Sequence, residues 1–590
     1  MRVESVRTNP IHRQARRPSR LDGRASLIVG RASNRSGDLR KKMAERTQFP
    51  ARGGFRILAF IASAAFGLVW LFGGRGVGAE APKLEPALVV RAIHPDRQAA
   101  AVIDLFDGSR AANPAAAMAA WRRATGRHDA IGKTLQAVAA LFNPMMVPEW
   151  RPLHGARFDL ATGDGLAWGV AVPNDDGAIA ALVTSLRLSG GADEPPILDP
   201  PIAVKRLGES GAALAARLPG ALAFAGRRDM LIAEVARLRA GELDPNPTAP
   251  IGSLDSGFRL SLHPDRLAID DQTDPRLARL ATAARAVGLT ATDGMLGLRG
   301  GRLELELVSR FERDGTNEAN SPALDPSWLA WFPERETGAA VAVVLGPGAE
   351  FWDGLFMVAD AIDRADPARA DLAPLRTRLN FLGLARGVRL EADLWPQLRG
   401  ASLGLLIDEG PPGKLGGAIV ALHAADAQAA RRILDRVVSP LAALAGSGAS
   451  KPDAEPSPVA LGRVSGRPLE AVARGSTVLI AWGEGALARV LQSAETPNES
   501  VAALLKRKDD ASDGRSINRF AAVWPGRTAS ALGAWGPNSP FAAALADGSP
   551  VVWRGGWDGD LAWDAIRWPE LRGVVARFLE RIPQAPFETP

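Results

Sequence analysis

A possible nucleophile lies in the stretch Gly400-Ala401-Ser402-Leu403-Gly404, which fits the G-x-S-x-G pattern of serine hydrolases. That pattern exposes the serine hydroxyl only when a strand comes before the serine and a helix comes after it. Here the order is reversed, because the strand-like run Leu403 to Ile407 follows the serine. The sequence therefore predicts that Ser402 has a structural role.

A phosphate-binding loop is suggested by Gly126, Gly132, Lys133 and Thr134, but five residues separate the glycines where the motif has four. The alanine-rich stretch Ala115 to Arg123 before it predicts a helix, whereas the motif requires a strand there. We interpret this segment as a turn between two helices.

Two identical tetrapeptides, His94-Pro95-Asp96-Arg97 and His263-Pro264-Asp265-Arg266, each follow a strand-like run. A histidine beside an aspartate could act as a general base. The positions that we align with them later in the chain are Gly346-Pro347 and Trp524-Pro525, which retain only the proline. Proline suits the first turn of a helix because it has no N–H to satisfy. The pattern favours a structural turn, with histidine chemistry as the alternative.

Acidic and aromatic residues are concentrated near the C-terminus. Asp558, Asp560 and Asp564 are spaced to share one strand face, which could bind calcium or simply face water, and their spacing is not that of a calcium loop. Four tryptophans could form a carbohydrate-binding face, although aromatics at alternating strand positions usually belong to a core. They are Trp553, Trp557, Trp563 and Trp568.

Composition narrows the chemistry further. The 590 residues include no cysteine and no tyrosine, and the six histidines form no HExxH motif. Thiolate catalysis and cysteine-ligated zinc are therefore excluded, and the common metalloprotease site has no support in the sequence. The sequence predicts no catalytic residue, no cofactor-binding residue and no metal ligand.

The chain is organised around an apolar run from Phe55 to Phe72, interrupted only by Arg56 and Ser63. Eighteen helical residues span about 27 Å, close to the hydrocarbon thickness of a bilayer. No later apolar run is as long. We therefore expect one membrane helix or signal h-region at residues 55–74, and at most one span.

The residues before that run form a basic tail, predicted to be disordered over residues 1–54. It carries 14 basic and 4 acidic residues, a net charge of +10, whereas the whole chain is only +6. By the positive-inside rule, the tail remains cytoplasmic and the rest of the chain is exported. Since the basic charge serves topology and no RNA-binding motif is present, we expect no nucleic-acid partner.

Cleavage of the apolar run is an open alternative to anchoring. Val77-Gly78-Ala79 places small residues where signal peptidase requires them, so a secreted or periplasmic protein would begin after Ala79. Met43 would give an ordinary signal-peptide layout if translation started there. The anchored alternative is a single-pass protein of the bacterial cell membrane with an extracytoplasmic C-terminal part.

An internal repeat is visible in the exported part. Trp150, Leu153, Gly155 and Ala156 recur with the same spacing as Trp395, Leu398, Gly400 and Ala401, and Pro201 to Gly226 aligns without gaps with Pro458 to Gly483. The hairpin at Arg299-Gly300-Gly301 aligns with Arg554-Gly555-Gly556. We place two tandem halves at residues 80–335 and 336–590, each with a larger and a smaller unit.

The periodicity of the halves is mixed. Ile179, Leu182, Val183 and Leu186 predict an amphipathic helix, and a second follows Asp426, with Ile433, Leu434, Val437, Val438 and Leu441. Arg302 to Leu307 alternates leucines with charged residues, which predicts a hairpin strand with one face on a core and one in water. The fold class is therefore α+β, with antiparallel sheets and helices on one face.

The leading membrane segment, the W-x-x-L-x-G-A column and the strand-helix order resemble an uncharacterised family of bacterial membrane-anchored envelope proteins with repeated strand and helix units. The resemblance implies an envelope location and no activity. We therefore expect a non-enzymatic envelope protein with a structural or binding role, whose ligand, a protein or a glycan, is unknown. The alternative is an exported hydrolase whose site is assembled only by the fold.

Overall fold

The computed structural model describes most of the chain after residue 84. The described residues are 85–109, 111, 113–125, 139, 142, 147–163, 165–173, 192–207, 213–241, 254–267, 275–312, 322–345, 356–361, 363–364, 373–408, 415–442, 458–506, 515–531, 544–545, 548–558 and 561–581. The basic tail, the apolar run from Phe55 to Phe72 and the cleavage motif at Ala79 lie outside them. Among the described residues, no helix is long and apolar enough to cross a membrane.

In the described part of the chain, nineteen strands form a single sheet in which every pairing is antiparallel. They are β1 (Leu88–Ile93), β2 (Arg157–Gly163), β3 (Gly165–Pro173), β4 (Ala192–Ile197), β5 (Ile202–Leu207), β6 (Ala213–Leu218), β7 (Ala221–Ala225), β8 (Gly257–Leu262), β9 (Leu289–Arg299), β10 (Arg302–Phe311), β11 (Thr337–Val344), β12 (Leu398–Ile407), β13 (Leu415–Ala424), β14 (Val459–Val464), β15 (Arg467–Arg474), β16 (Thr477–Trp482), β17 (Arg519–Val523), β18 (Val551–Asp558) and β19 (Leu561–Trp568).

Helices connect and cover these strands, so the fold is a mixed α+β structure built on a large antiparallel sheet. The described helices are α1 (Pro95–Asp104), α2 (Pro114–Thr125), α3 (Val147–Trp150), α4 (Arg228–Arg239), α5 (Pro275–Ala286), α6 (Ala373–Leu384), α7 (Leu390–Asp393), α8 (Ala427–Ile433), α9 (Ser439–Ala442), α10 (Ala486–Glu495), α11 (Ala502–Lys506), α12 (Pro525–Ala531) and α13 (Leu571–Arg581). A π-helical turn, Leu434–Val438, joins α8 to α9.

The order of strands across the sheet is β4-β5-β6-β7-β3-β2-β1-β8-β9-β10-β19-β18-β17-β11-β12-β13-β16-β15-β14. The strands counted outward from β10 and those counted outward from β19 occur in the same relative order in the chain. β10 pairs with β19 so that Leu303 lies opposite Trp568 and Ser309 lies opposite Ala562. Only β4 has no counterpart among the described strands.

Helices cover both faces of the sheet, so the prediction of helices on one face is wrong. On β13, Ile419 and Ala421 pack into the apolar cluster that includes α10, whereas Leu422 and Ala424 pack into the cluster that includes α8. The physical reason is that neighbouring residues of β13 and β16 are both apolar, as in Thr477–Trp482, so both faces of these strands need cover.

Two local predictions are confirmed. Gly300 and Gly301 both adopt positive φ angles, 57° and 78°, in the two-residue turn between β9 and β10. Asp426 caps α8, because its side chain accepts a hydrogen bond from the N–H of Ala429 at 2.7 Å. The helix expected at Ile179 to Leu186 lies outside the described residues.

Two other local predictions are wrong. Arg554-Gly555-Gly556 lies inside β18, so it is no counterpart of the hairpin turn at Gly300-Gly301. The acidic face of β10 does not face water, since Glu304 and Glu306 are only 2% and 9% exposed. β10 is a central strand, and Arg299 and Arg567 pair with these two carboxylates.

Candidate functional site

A serine–histidine cluster, consisting of Ser402, His423 and Thr477 with Trp328 above them, is buried on the α10 face of the second half of the sheet. Ser402 lies in the interior of β12, which begins at Leu398, so the strand runs through the G-x-S-x-G motif and forms no nucleophile elbow. Ser402 Oγ lies 2.9 Å from His423 Nε2, and His423 Nδ1 lies 3.1 Å from Thr477 Oγ1. These distances resemble those of a nucleophile, a base and an orienting group.

The hydrogen bonds of the serine–histidine cluster do not allow His423 to act as a general base toward Ser402. Ser402 Oγ donates to the carbonyl oxygen of Trp328 at 3.2 Å, and a carbonyl can only accept. Ser402 therefore receives the N–H of His423 Nε2, and Thr477 donates to Nδ1. A general base needs the opposite arrangement, with Nε2 accepting the proton of the nucleophile.

The serine–histidine cluster is also shielded from water. The indole of Trp328 stacks on the imidazole of His423 with ring centroids 4.3 Å apart and planes within 2° of parallel. Ser402, His423 and Thr477 are at most 5% exposed. Burial lowers the pKa of His423 to about 3, so this imidazole is neutral at physiological pH. The cluster is a sealed, neutral hydrogen-bonded chain.

A carboxylate–arginine cluster occupies the corresponding part of the first half. It consists of Arg157 and Asp159 on β2 and of Glu234 and Arg237 on α4. Asp159 accepts from Arg157 Nε at 2.7 Å and from Arg237 Nη1 at 2.6 Å, and Glu234 Oε1 accepts from Arg237 Nη1 at 2.8 Å. Asp159 and Glu234 are fully buried, so this is a set of ionisable groups inside the fold.

Glu234 is the carboxylate of the carboxylate–arginine cluster whose ionised form is least favoured. Burial raises its pKa well above the ordinary value, and the negative charge of Asp159 raises it further, against the opposing effect of Arg237. Its Oε2 has no hydrogen-bond partner. The Glu234 side chain fills the space that a Cβ on Gly169 would occupy, only 2.6 Å from its Cγ, which explains the glycine there.

The two clusters occupy corresponding strand positions. Arg157 lies opposite Ala171 on β3, and Ser402 lies opposite Ala421 on β13. Two residues further along, Gly404 replaces Asp159. The aromatic ring of Phe332 covers Gly404, approaching within 2.4 Å of where a Cβ would lie. One half therefore buries charge where the other buries aromatic rings and a neutral histidine.

The two His-Pro-Asp-Arg tetrapeptides lie at opposite ends of adjacent strands, because β1 and β8 are antiparallel. Pro95 and Pro264 are buried in the first turns of a helix and a 3₁₀ helix, as the structural prediction requires. His94 has φ 45°, and its N–H donates to His154 Nδ1 at 3.0 Å. The structure brings neither His94 nor His263 into one site with the other.

His154 is the partner that sequence reasoning missed. Its ring stacks on that of His94 at 4.3 Å, and burial followed by the charge of His94 lowers its pKa. Burial likewise lowers the pKa of His263. Asp96 forms an ion pair with Arg151, whose Nε lies 3.7 Å from an Asp96 carboxylate oxygen. This arrangement orients the entry to α1 and carries no nucleophile.

The acidic residues near the C-terminus do not form one strand face. Asp558 ends β18, Asp564 lies on β19, and Asp560 lies outside the described residues. Asp564 does not face water: Arg519 Nε and Nη2 donate to its two oxygens at 2.9 and 3.0 Å, and Trp553 Nε1 donates at 2.8 Å. The interpretation of a solvated acidic face is therefore wrong for Asp564, because its carboxylate accepts hydrogen bonds from Arg519 and Trp553.

The four tryptophans do not form a common binding face. Trp553 and Trp557 lie on the face that carries Asp564, since Asp564 is opposite Gly555 between them, whereas Trp563 lies on the other face opposite Gly556. Trp563 is 5% exposed and belongs to the core. The guanidinium of Arg519 lies 5.3 Å from the ring of Trp557, which packs edge-on against Phe311.

No metal site emerges, because no group of three or more histidine, aspartate or glutamate side chains in the described part of the chain could hold an ion. The glycine-rich segment Gly126 to Thr134 lies outside the described residues. The sequence carried no signal for the carboxylate–arginine cluster beyond an Arg-x-Asp pair on a strand. Its helix partners lie more than 70 positions away.

Comparison of the chain with protein-family models, with curated proteins and with solved structures found no match.

Proposed function

We propose that this chain is a non-enzymatic protein of the bacterial cell envelope, with a structural or binding role. Residues 55–72 anchor it in the membrane, or are removed by cleavage near Ala79 to release it. The exported body then consists of two tandem halves, residues 80–335 and 336–590. The observation that carries the proposal is the state of the two buried clusters in the described residues: the serine–histidine cluster is sealed and neutral, and Asp159 of the carboxylate–arginine cluster is held by Arg157 and Arg237.

The proposal of duplication is supported by the strand pairings. β1, β2, β3 and β7 pair in the same sequence as β11, β12, β13 and β16, and the central β10–β19 pair is symmetrical about its midpoint. Gene duplication is the simplest origin of such a pattern.

Fractionation of the native host tests the location. We expect the intact chain in the membrane fraction after alkaline carbonate extraction, with protease added outside the membrane cleaving residues after Ala79 and sparing the basic tail. A soluble product with an N-terminus at Glu80 replaces the anchor with a secreted protein. Recovery of the intact chain in the cytosol would contradict both forms of the proposal.

A second candidate function is an exported hydrolase, and the serine–histidine cluster is the observation that favours it. Ser402 Oγ and His423 Nε2 are within hydrogen-bond distance, and the serine lies in a G-x-S-x-G motif. For catalysis, the segment that carries Trp328 would have to move away from Ser402. The proton of His423 would also have to be on Nδ1 and not on Nε2. Thr477 would also have to orient an imidazolium without the negative charge that a carboxylate provides.

Labelling with a fluorophosphonate separates the two candidates. If Ser402 were a nucleophile, the native full-length chain would be labelled and the Ser402→Ala variant would not. We expect equal, background labelling of both chains under native conditions, because Ser402 is 3% exposed. Selective loss of label in Ser402→Ala would support the hydrolase.

A further inference from the structure

Three exposed large apolar side chains lie close together on α6, and they include the two most exposed in the described structure. Phe381 is 69% exposed, Leu384 is 59% exposed and Leu382 is 44% exposed. Phe381 and Leu384 are three positions apart, so they lie on the same side of the helix. An exposed phenylalanine beside two exposed leucines is costly in water unless something covers it.

The charges around this apolar patch, defined by Phe381, Leu382 and Leu384, are unequal. The nearby acids are used within the chain: Glu391 accepts from Arg376 Nη2 at 3.0 Å and from Asn380 Nδ2 at 3.2 Å, and Asp393 accepts from the N–H of Arg389 at 2.8 Å. Arg378 lies one turn before Phe381 on the exposed side. It and Arg389 are exposed at the two ends of the patch.

Apolar tips flanked by guanidinium groups fit the surface of an anionic bilayer. Phenylalanine and leucine enter the boundary between headgroups and acyl chains, while arginine binds lipid phosphate, and each arginine near the surface contributes about 1 kcal/mol. A second copy of this face would bring the same arginines together and is disfavoured by repulsion. A partner protein would need an acidic rim around an apolar pocket.

We propose that α6 docks the exported body onto the anionic surface of the membrane through Phe381, Leu382 and Leu384, with Arg378 and Arg389 binding lipid phosphate. This inference rests on the proposed envelope location and deepens it, since a docked body would hold the sheet against the bilayer. It assigns the patch a lipid ligand and needs no further chain.

The absence of native cysteine makes a direct test possible. The full-length chain carrying Leu384→Cys is labelled with an environment-sensitive fluorophore and reconstituted into vesicles that contain phosphatidylglycerol or only phosphatidylcholine. Val287→Cys is the matched control. Val287 is also apolar and 42% exposed, but its neighbours are Ala286 and Gly288, so it lies outside the apolar patch. A thermal melt of each variant verifies that the fold is retained.

We expect a blue shift and quenching by spin-labelled lipid at position 384, with anionic vesicles only, and neither effect at position 287. Arg378→Gln and Arg389→Gln should each weaken docking about fivefold, the equivalent of 1 kcal/mol per arginine. No quenching at position 384, or equal quenching in neutral vesicles, would overturn the proposal. A blue shift that depends on protein concentration without vesicles would instead indicate a second copy.

Carbonate extraction of the same vesicles reports the anchor separately. Retention of the chain without quenching at position 384 would leave the anchor standing and refute docking. Quenching of a chain that carbonate removes would support docking and refute the anchor.

Discussion

The carboxylate–arginine cluster of the first half and the serine–histidine cluster of the second half occupy corresponding positions on the sheet but solve burial in opposite ways. Arg157 and Asp159 form a buried ion pair to which Arg237 and Glu234 also belong, whereas Gly400 and Gly404 leave room for the rings of Trp328 and Phe332 beside Ser402. The same backbone pairing therefore tolerates ionised and neutral interiors.

The contrast extends to pH. A histidine whose pKa is lowered by burial stabilises the fold only while it is neutral, so its contribution is lost in acid. A glutamate whose pKa is raised stabilises the fold while it is protonated, so its contribution is lost toward alkaline pH. The two clusters should respond to pH with opposite signs, although they lie at corresponding positions.

Substitution of Asp159 by alanine should have the largest effect on this comparison. Arg157 and Arg237 would remain buried without Asp159, and the loss of one partner of a buried ion pair typically costs about 3–5 kcal/mol of unfolding free energy. We expect a lower urea midpoint and a lower melting temperature. The matched control is Asp193→Ala, because Asp193 forms an ion pair with Lys205 but is 83% exposed, and exposed pairs contribute about 0–1 kcal/mol.

A loss below about 1 kcal/mol in Asp159→Ala would contradict the view that Asp159 compensates the buried guanidinium charge. The addition of Arg237→Met should then be neutral or unfavourable. If the view is correct, Arg237→Met should recover part of the loss in the Asp159→Ala background, because it removes one of the two guanidinium groups that have lost Asp159.

Acid should destabilise the protein in part through His423. The folded pKa of His423 is about 3 and the unfolded value is about 6.5, so the unfolded chain takes up a proton that the native chain refuses. This contribution is fully present above pH 6.5 and is lost as the pH falls toward 3, by about 2 kcal/mol at pH 5. The measurement is the unfolding free energy of wild type and His423→Gln at pH 7.5 and pH 5.

The difference between these two chains isolates His423, because His154 and His263 also have lowered pKa values and contribute in the same direction in both. We expect the pH dependence to be smaller in His423→Gln. Identical pH dependence of the two chains would show that His423 is protonated in the native state.

The sequence predicted those parts of the fold that depend on local patterns. The glycine turn at Gly300 and the cap at Asp426 are determined by neighbouring residues. Helix cover on both faces was not predicted, because alternation in β10 suggested a wet face, whereas its glutamates are buried by arginines from β9 and β19. Long-range ion pairs leave no trace in local periodicity.

The sites show the same limit. Ser402 was recognised by its motif, and the strand that contains it was foreseen in part, but its partners His423 and Thr477 are 21 and 54 positions beyond the residues they contact. Neither partner lies in a motif. Asp564 was visible as an acid on a strand, yet its pairing with Arg519 depends on two intervening strand connections.

Removal of the hydroxyl in Ser402→Ala should have a moderate effect. The carbonyl of Trp328 would lose its donor and His423 Nε2 would lose its acceptor, and a buried group without a partner costs about 1–2 kcal/mol. Thr477→Val, which is nearly isosteric, should cost a similar amount because His423 Nδ1 then lacks its donor. Chemical denaturation measures both, and a stability gain in either would mean that the chain of hydrogen bonds is not formed.

The smallest effect on the unfolding free energy is expected from Glu234→Gln. The sign of its pH dependence tests most directly whether the two clusters respond to pH in opposite directions. Burial raises the pKa of Glu234 well above its usual value, which favours the protonated side chain, and glutamine replaces that neutral form with a group of nearly the same shape. We expect a change within about 1 kcal/mol at pH 7. The stability due to protonated Glu234 is fully present below about pH 4.5 and is lost as the pH rises through the folded pKa, so the variant should gain on wild type with rising pH. Unfolding free energies of both chains from pH 5 to pH 9 measure this difference. A loss of about 3–5 kcal/mol at every pH would mean that Glu234 is ionised and paired with Arg237, and the first half would then hold two buried ion pairs.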